Sequence, residues 1–382
     1  MPWKDVDMMT LRQEFVSLAL QEGVNRRALC ERFGISPKTG YKWIERFTLE
    51  GQIGLQDRTR RPLQTPMRAP GPVEDQVVAL RHKHPTWGGR KIRRRLLDLG
   101  HTVVPTPSTV TRILHRHGLI EESASERSTP WQRFEHAQPN DLWQMDFKGH
   151  FETGKATCHP LTVLDDHSRY NVVLHACSRP NGEFVRQALV DAFRLYGLPL
   201  CINADNGAPW GSSSKHEHGI TKLTIWLIQL GIKISHSRPA HPQTNGKEER
   251  FHRTLKADVI RGSHFHDLDE AQNAFDQWRL VYNHERPHEA IDMATPVTRY
   301  RPSRLAYPER LPQVEYSASD MTLTVGWNGD IKFHGHRLKV SSALQGYCIA
   351  VRPLQDRDGV FDLFFSHQRI GQIDLHNHES KA

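Results

Sequence analysis

The chain has 382 residues, 37% hydrophobic and 25% charged, with 51 Lys and Arg against 43 Asp and Glu for a formal net charge of +8. At a soft prior of about 150 residues per domain the length predicts roughly two to four domains; no apolar run approaches the roughly 18 residues of a membrane span and Met1-Pro2-Trp3-Lys4-Asp5 opens no signal-like stretch, so transmembrane, secreted and collagen-like classes are excluded and a cytoplasmic chain is expected. The five cysteines, at 30, 158, 177, 201 and 348, form no C-x-x-C pair, which points to a reducing compartment and against a disulfide framework or a zinc finger.

The positive charge is concentrated at the front. Residues 1–120 hold 21 Lys and Arg against 11 Asp and Glu; the remaining 262 residues hold 30 against 32. A basic module joined to a near-neutral one fits a polyanion-binding part coupled to another activity, although a merely soluble basic surface gives the same count. Over 1–60 the sequence predicts helices, with a helix, a tight turn and a second helix between Arg27 and Phe47. Gly34 can take the positive φ of the turn. Ser36 is placed to cap the second helix, and Pro37 suits its first position. At about 100° per residue, Gly40, Trp43, Ile44 and Phe47 fall on one side of that helix, and Lys38, Lys42 and Arg46 on the other. An apolar back and a basic front are what a DNA recognition helix needs. An ordinary surface helix pair is the plainer alternative.

Residues 55–75, with Arg58, Arg60, Arg61, Pro62, Pro66, Pro70 and Pro72, read as an extended basic linker. A second helical module is expected over 73–120. Its helix 90–99 carries Arg90, Lys91, Arg93, Arg94 and Arg95, and Pro105-Thr106-Pro107-Ser108 caps a helix over 109–117. It reads as a second helix-turn-helix or winged-helix-like domain, or as a solvated basic helix packed on the first module. Without partner cysteines, most of the 24 histidines read as surface or DNA-facing. The polar stretch 121–138 reads as a linker.

From 139 to 300 strand and helix signals alternate. Strands are expected over 142–151, 160–165 and 170–177, then a helix over 181–196 that ends at Gly197. A strand over 199–204, a helix over 220–230 and a strand over 232–235 follow, then helices over 244–260 and 267–282. Three successive strands and then alternating helix and strand make a mixed α/β pattern. Beyond a Pro-containing link at 300–313, short strands at 322–325, 331–333, 349–351 and 360–365 predict a small β-barrel or sandwich over 314–376.

Three acids stand where an α/β active site would place them. Asp146 interrupts Leu142-Trp143-Gln144-Met145-Asp146-Phe147, where a charge costs stability unless it is paired or metal-bound. Asp205 follows the apolar Leu200-Cys201-Ile202-Asn203-Ala204 and precedes Asn206-Gly207, at the strand edge where such sheets carry their sites. Glu249 lies early in the helix over 244–260. There Phe251, Leu255 and Val259 form an apolar stripe, Glu248 falls on it, and Glu249 heads a basic face with Arg253 and Lys256. Hard oxygen donors of this kind suit Mg²⁺ or Mn²⁺, and two ions held by acids can assist displacement at phosphorus. Singly, each acid also has a local role: a strand-end polar group at 146, a turn-forming side chain at 205, a helix N-terminal acid at 249. Asp166 reads as a local cap ahead of Ser168 rather than a fourth ligand.

These segments resemble the integrase core shared by retroviral integrases and DDE transposases, over roughly residues 139–300. The motifs that carry the resemblance are the strand around Asp146, Leu164-Asp165-Asp166-His167-Ser168-Arg169, and Ala204-Asp205-Asn206-Gly207. The most specific is Ser237-Arg238-Pro239-Ala240-His241-Pro242-Gln243-Thr244-Asn245-Gly246-Lys247-Glu248-Glu249-Arg250-Phe251-His252-Arg253-Thr254-Leu255-Lys256, and Tyr282-Asn283-His284-Glu285-Arg286-Pro287-His288 also matches. With helix-turn-helix modules ahead of the core, the layout looks most like bacterial insertion-sequence transposases of the IS481 type. The resemblance implies an RNase H-like fold and a catalytic, metal-holding triad of Asp146, Asp205 and Glu249 with two Mg²⁺ ions, Mn²⁺ being a substitute. It implies DNA cleavage and strand transfer, double-stranded DNA as partner (element ends and target), a homo-oligomer on that DNA, and no membrane. Lys38, Lys42 and Arg46 are expected to bind the ends, and Arg253 and Lys256 to hold the DNA beside the acids.

The chain departs from the pattern twice. The 43 residues between Asp205 and Glu249 exceed the retroviral spacing, with the excess assigned to the loop 208–219, and no His/Cys zinc module precedes the core. A DNA-binding regulator on a degenerate core and a simple RNase H-like nuclease are the alternatives. The intact triad argues against the first, and the two helix-turn-helix modules against the second.

Overall fold

The structure, a computed structural model, describes residues 8–58, 68–120, 135–205, 207–211, 220–236 and 246–377. It divides into two compact units, Met1–Arg68 and Ala69–Ala382. Asn206, most of the expected loop 208–219, residues 237–245 of the longest motif, residues 59–67 of the first expected linker and most of the second lie outside the described residues.

The first unit holds three helices, α1 (Met8–Ala19), α2 (Arg26–Arg32) and α3 (Pro37–Glu50). Their ends follow local chemistry. The Asn25 side chain accepts from the amides of Arg27 and Ala28 at the start of α2. Gly34 turns the chain at φ +64°, and Ser36 Oγ accepts from the Thr39 amide at 3.2 Å. From α3, Gly40, Trp43 and Ile44 are buried, the last two among Phe15, Val16, Leu29 and Cys30. Gly40 permits a close helix approach: a Cβ there would stand 2.5 Å from Cys30 Sγ. Lys38 and Lys42 are exposed, and Arg46 is half-buried. Lys42 Nζ lies 4.3 Å and the Arg46 guanidinium 5.2 Å from the centre of the Trp43 ring. The basic face therefore folds over the edge of the apolar one instead of standing wholly opposite it, because long basic side chains gain from lying across an indole face.

The second unit begins with α4 (Gly71–Lys83), α5 (Gly89–Asp98) and α6 (Pro107–Arg116), packed around Val77, Trp87, Ile92, Leu96, Val110 and Ile113. Thr106 caps α6, accepting from the Thr109 amide. The α/β domain follows, with β1 (Trp143–Phe147), β2 (Phe151–Glu152), β3 (Thr157–Asp165), β4 (Asn171–Cys177), α7 (Gly182–Tyr196), β5 (Cys201–Ala204), α8 (Lys222–Gln229), β6 (Lys233–His236), α9 (Gly246–Leu255) and α10 (Leu268–His284). A π turn, Lys256–Ile260, continues α9, so the single helix expected over 244–260 is two pieces.

The main sheet runs β4-β3-β1-β5-β6, with β2 also on β3. The first three strands are antiparallel, and β5 and β6 run parallel to β1. Consecutive antiparallel strands on one side, and parallel strands reached through helices on the other, make this an RNase H-like fold. Val185, Leu189 and Phe193 of α7 cover one face, against Met145, Leu161 and Val163. Phe251 and Leu255 of α9, with Phe275 and Trp278 of α10, cover the other, against Leu164, Leu174 and Ala176. Strand alternation thus turns Met145 toward α7 and its neighbour Asp146 toward α9.

The basic helix α5 meets acids within the second unit. Glu285, just past α10, takes Arg95 at 3.0 Å and Lys83 at 3.2 Å, and Glu289 takes Arg90 at 3.7 Å. Asp258 accepts from Thr86 at 2.6 Å, Arg286 at 2.8 Å and the Trp278 indole at 3.0 Å. Burial pushes the Lys91 ammonium down to about 8. The charges of this helix are drawn to acids at and beside the Tyr282–His288 motif. Of the histidines, His84 is buried and stacks on Trp87.

The C-terminal segment forms a four-stranded sheet of β7 (Met321–Thr324), β10 (Cys348–Pro353), β11 (Val360–Phe365) and β12 (Gln368–Asp374), and a hairpin of β8 (Asp330–Phe333) and β9 (His336–Lys339). Strands β9 and β12 escape the sequence reading because each buries few side chains, Leu338 in one and Ile370 and Ile373 in the other.

Candidate active site

Asp146 pairs across the sheet with Thr162 on β3, and both side chains meet the underside of α9. The Thr162 hydroxyl lies 3.0 Å from the Asp146 carbonyl, 3.1 Å from Glu248 Oε2 and 2.8 Å from His252 Nε2. His252 Nδ1 stands 4.0 Å from Asp146 Oδ2. The Asp146 carboxylate accepts from the Phe147 amide at 2.8 Å. Its pKa is pushed up to about 6, first by burial and then by the charges of Asp205 and Glu249, against the lowering effect of that amide. The charges of Asp205 and Glu249, from two other elements, thus reach the Asp146 carboxyl.

Asp205 follows β5 and is exposed. The Gly207 amide donates to its Oδ1 at 3.0 Å, which is the turn-forming role open to it in sequence. His236 Nδ1 donates to its main-chain oxygen at 3.0 Å. A Cβ on Gly207 would come within 3.3 and 3.4 Å of the two carboxylate oxygens, so the glycine leaves that group uncrowded. Glu249 is exposed on the first turn of α9, while Glu248 beside it is 3% exposed. Burial, with Asp146 adding to it, holds the Glu248 carboxyl well above the usual range. Its Oε1 has no partner among the described residues.

The donor set is all carboxylate oxygen and mutually repulsive, the chemistry that suits a hard divalent cation. The side chains have not closed on one point: among the described residues no three His, Cys, Asp or Glu groups stand in ligating geometry. Arg253 and Lys256 are exposed beyond Glu249. Lys148, just past β1, has its pKa lowered by burial and by the nearby Lys256, which puts two cations on the Asp146 side of the sheet.

Sequence reasoning missed Thr162, His252 and Asp166. It took Asp166 for a local cap, but Asp165 has that role, accepting the Ser168 amide at 2.8 Å and the Asn140 amide at 2.7 Å. Asp166 is buried and faces Lys247 and Gln144. Two adjacent acids on one turn cannot be told apart until the facing helix is in place.

Integrase core domain models match residues 136–242 and 230–296. Helix-turn-helix and homeodomain-like models match 11–62 and 39–114, and the C-terminal domain of IS481 family transposases matches 320–381. A transposase for the insertion element IS904 of Lactococcus lactis is 25% identical over 242 residues, covering 59% of this chain and 91% of that one. A protein of the insertion element IS476 of Xanthomonas euvesicatoria is 28% identical over 160 residues, covering 42% of this chain and 44% of that one; the match thus spans under half of that relative's length. The catalytic core of HTLV-2 integrase, solved with magnesium, is 20% identical at a TM-score of 0.32, covering 43% of this chain and 97% of that one. Fold and domain order define an integrase-core protein that carries helix-turn-helix domains. The matched segments support a DDE transposase of the IS481 type. Among the described residues no helix is long and apolar enough to cross a membrane.

Proposed function

We propose that this protein binds the ends of a mobile DNA element, cuts the DNA there and joins the freed ends to target DNA. What supports the reading is the placement of Asp146 on β1, Asp205 just after β5 and Glu249 on α9, with the charges of the last two acting on the Asp146 carboxyl. These three residues hold two divalent cations, Mg²⁺ or Mn²⁺. When bound, such ions supply charge stabilisation at the transferred phosphorus and lower the pKa of an attacking water.

The remaining groups position the DNA. Arg253 and Lys256, one and two turns beyond Glu249, take backbone phosphates beside the scissile bond, with Lys148 next to them. Lys38, Lys42 and Arg46 of α3 bind the element's end, and copies of the chain assemble on that DNA. A water oxygen attacks phosphorus and the 3′ oxygen departs, protonated, as a hydroxyl. That hydroxyl then attacks a target phosphorus in line, and no bond to the enzyme forms.

The test is end-DNA cleavage and strand transfer by Asp146→Asn, Asp205→Asn and Glu249→Gln beside binding of the same DNA. Each should lose cleavage to background and keep binding. Near-wild-type strand transfer by any one removes it from the triad.

A further inference from the structure

Asp166 lies in the turn after β3, 2% exposed. Its Oδ1 accepts from Gln144 Nε2 at 2.8 Å, its Oδ2 accepts from the His136 amide at 2.9 Å, and the Lys247 ammonium ion-pairs with Oδ1. Gln144 is two residues before Asp146 on β1. Lys247 is two residues before Glu249 on α9. One carboxylate therefore grips both the strand that carries one acid of the site and the helix that carries another.

Elsewhere on α9 a second tie runs from Glu248 through the Thr162 hydroxyl to the Asp146 carbonyl. Phe251 and Leu255 seat the body of the helix against the sheet and α10, but they lie beyond Glu249. Glu249 itself forms no hydrogen bond or ion pair among the described residues, so its place depends on where the first turn is held. In that turn Gly246 is open to solvent and Glu248 faces Thr162 and His252. Lys247, its side chain 20% exposed, is the charged group of that turn that reaches back to Asp166.

We propose that Asp166 and Lys247 are positioning residues: a strut between the β3–β4 turn and the start of α9 that sets Glu249 opposite Asp146. This inference rests on reading those two acids as part of the active site. A buried pair is poor evidence of stabilisation in itself, because desolvation offsets the attraction, whereas its directional hydrogen bonds fix geometry. The cost of loosening it should accordingly appear in the site more than in the fold.

The full chain tests this with Lys247→Met, Asp166→Asn, the double variant, Lys247→Arg and Asp146→Asn. The readouts are Mn²⁺ binding by electron paramagnetic resonance without DNA, cleavage of end DNA, end-DNA binding, and amide exchange in the first turn of α9. Lys247→Met should weaken Mn²⁺ binding by roughly tenfold or more, as removing partners behind metal ligands does. Cleavage should fall by about a hundredfold, the scale of a small misplacement of reacting groups. End binding should be unchanged and exchange at the start of α9 faster. Asp166→Asn should match it, the double variant should be no worse than the poorer single, and Lys247→Arg should recover most of the loss. If Asp166→Asn fails to fold, Lys247→Met and Lys247→Arg decide. Wild-type Mn²⁺ binding and cleavage in Lys247→Met, whatever its melting temperature, overturns the strut while Asp146→Asn is inactive. Wild-type cleavage by Asp146→Asn overturns the reading beneath it, and the strut with it.

Discussion

Glu248 and Glu249 are adjacent on α9 yet sit in different surroundings. A step of about 100° takes one carboxyl into the seam below the helix and the other to its exposed flank. Glu248 is enclosed by Thr162 and His252, in a setting that disfavours its charge. An amide there keeps the shape and the neutral character, so Glu248→Gln should cleave end DNA within a few fold of wild type, while Glu249→Gln in the same preparation falls to background. The reverse order of losses would move the acid of the site by one residue. The assignment was legible in sequence, since Phe251, Leu255 and Val259 define the stripe on which Glu248 falls, and they are buried as that stripe requires. The hydroxyl and imidazole that meet Glu248 were not legible, because they are close only through the β1–β3 register and the packing of α9.

At the scale of elements, the end of α10 joins the helical module α4–α6 to the α/β domain. His84 stacks on Trp87 at 3.8 Å and lies 3.9 Å from Glu285. Burial, then the neighbouring Lys83, pushes its pKa down to about 4. In the unfolded chain a histidine titrates near 6.5, so between roughly pH 6.5 and 4 the unfolded state binds the proton and the folded state resists it. Stability is therefore lost as pH falls through that window and levels off below it. His84→Phe keeps a ring on Trp87 and removes the titration. Its melting temperature should fall less than that of wild type between pH 6.5 and 4, and equal falls would place the acid sensitivity elsewhere. The sequence showed the basic run 90–95 and the Tyr282–His288 motif as separate features. That each satisfies the other is a matter of long-range packing, which periodicity does not reach.

Across the whole second unit, α8 is the shared wall. Leu223, Trp226 and Leu227 pack into the α/β core, while Ile225 and Ile228 belong to the apolar cluster of the C-terminal sheets, with Ile331, Leu344 and Ile349. The Ser341 hydroxyl also lies 3.4 Å from the Ile220 carbonyl, within hydrogen-bond distance. A helix that is apolar on all sides is buried on all sides, and here two domains bury it. Ile228→Ala should cost about 2–5 kcal/mol and lower the melting of both domains as one calorimetric transition. Two separate transitions, with the C-terminal one unmoved, would show that the wall is not shared.

The sequence by itself determined most of the order of elements, the helix caps at Ser36 and Thr106 and the apolar faces, and it singled out the three acids as candidates, because these depend on neighbours within a turn or a strand. It also carried the resemblance to the integrase core, through the runs of side chains around Asp146, Asp205 and Glu249. Only the tertiary structure decided which charges are free and which are paired. Arg95 and Lys83 went to Glu285, and Lys247 went to Asp166. The polar strands β9 and β12 likewise exist because neighbouring strands pair with their backbones. Ion pairs and strand pairing join residues far apart in the chain, and their energy depends on burial and geometry that no local pattern contains.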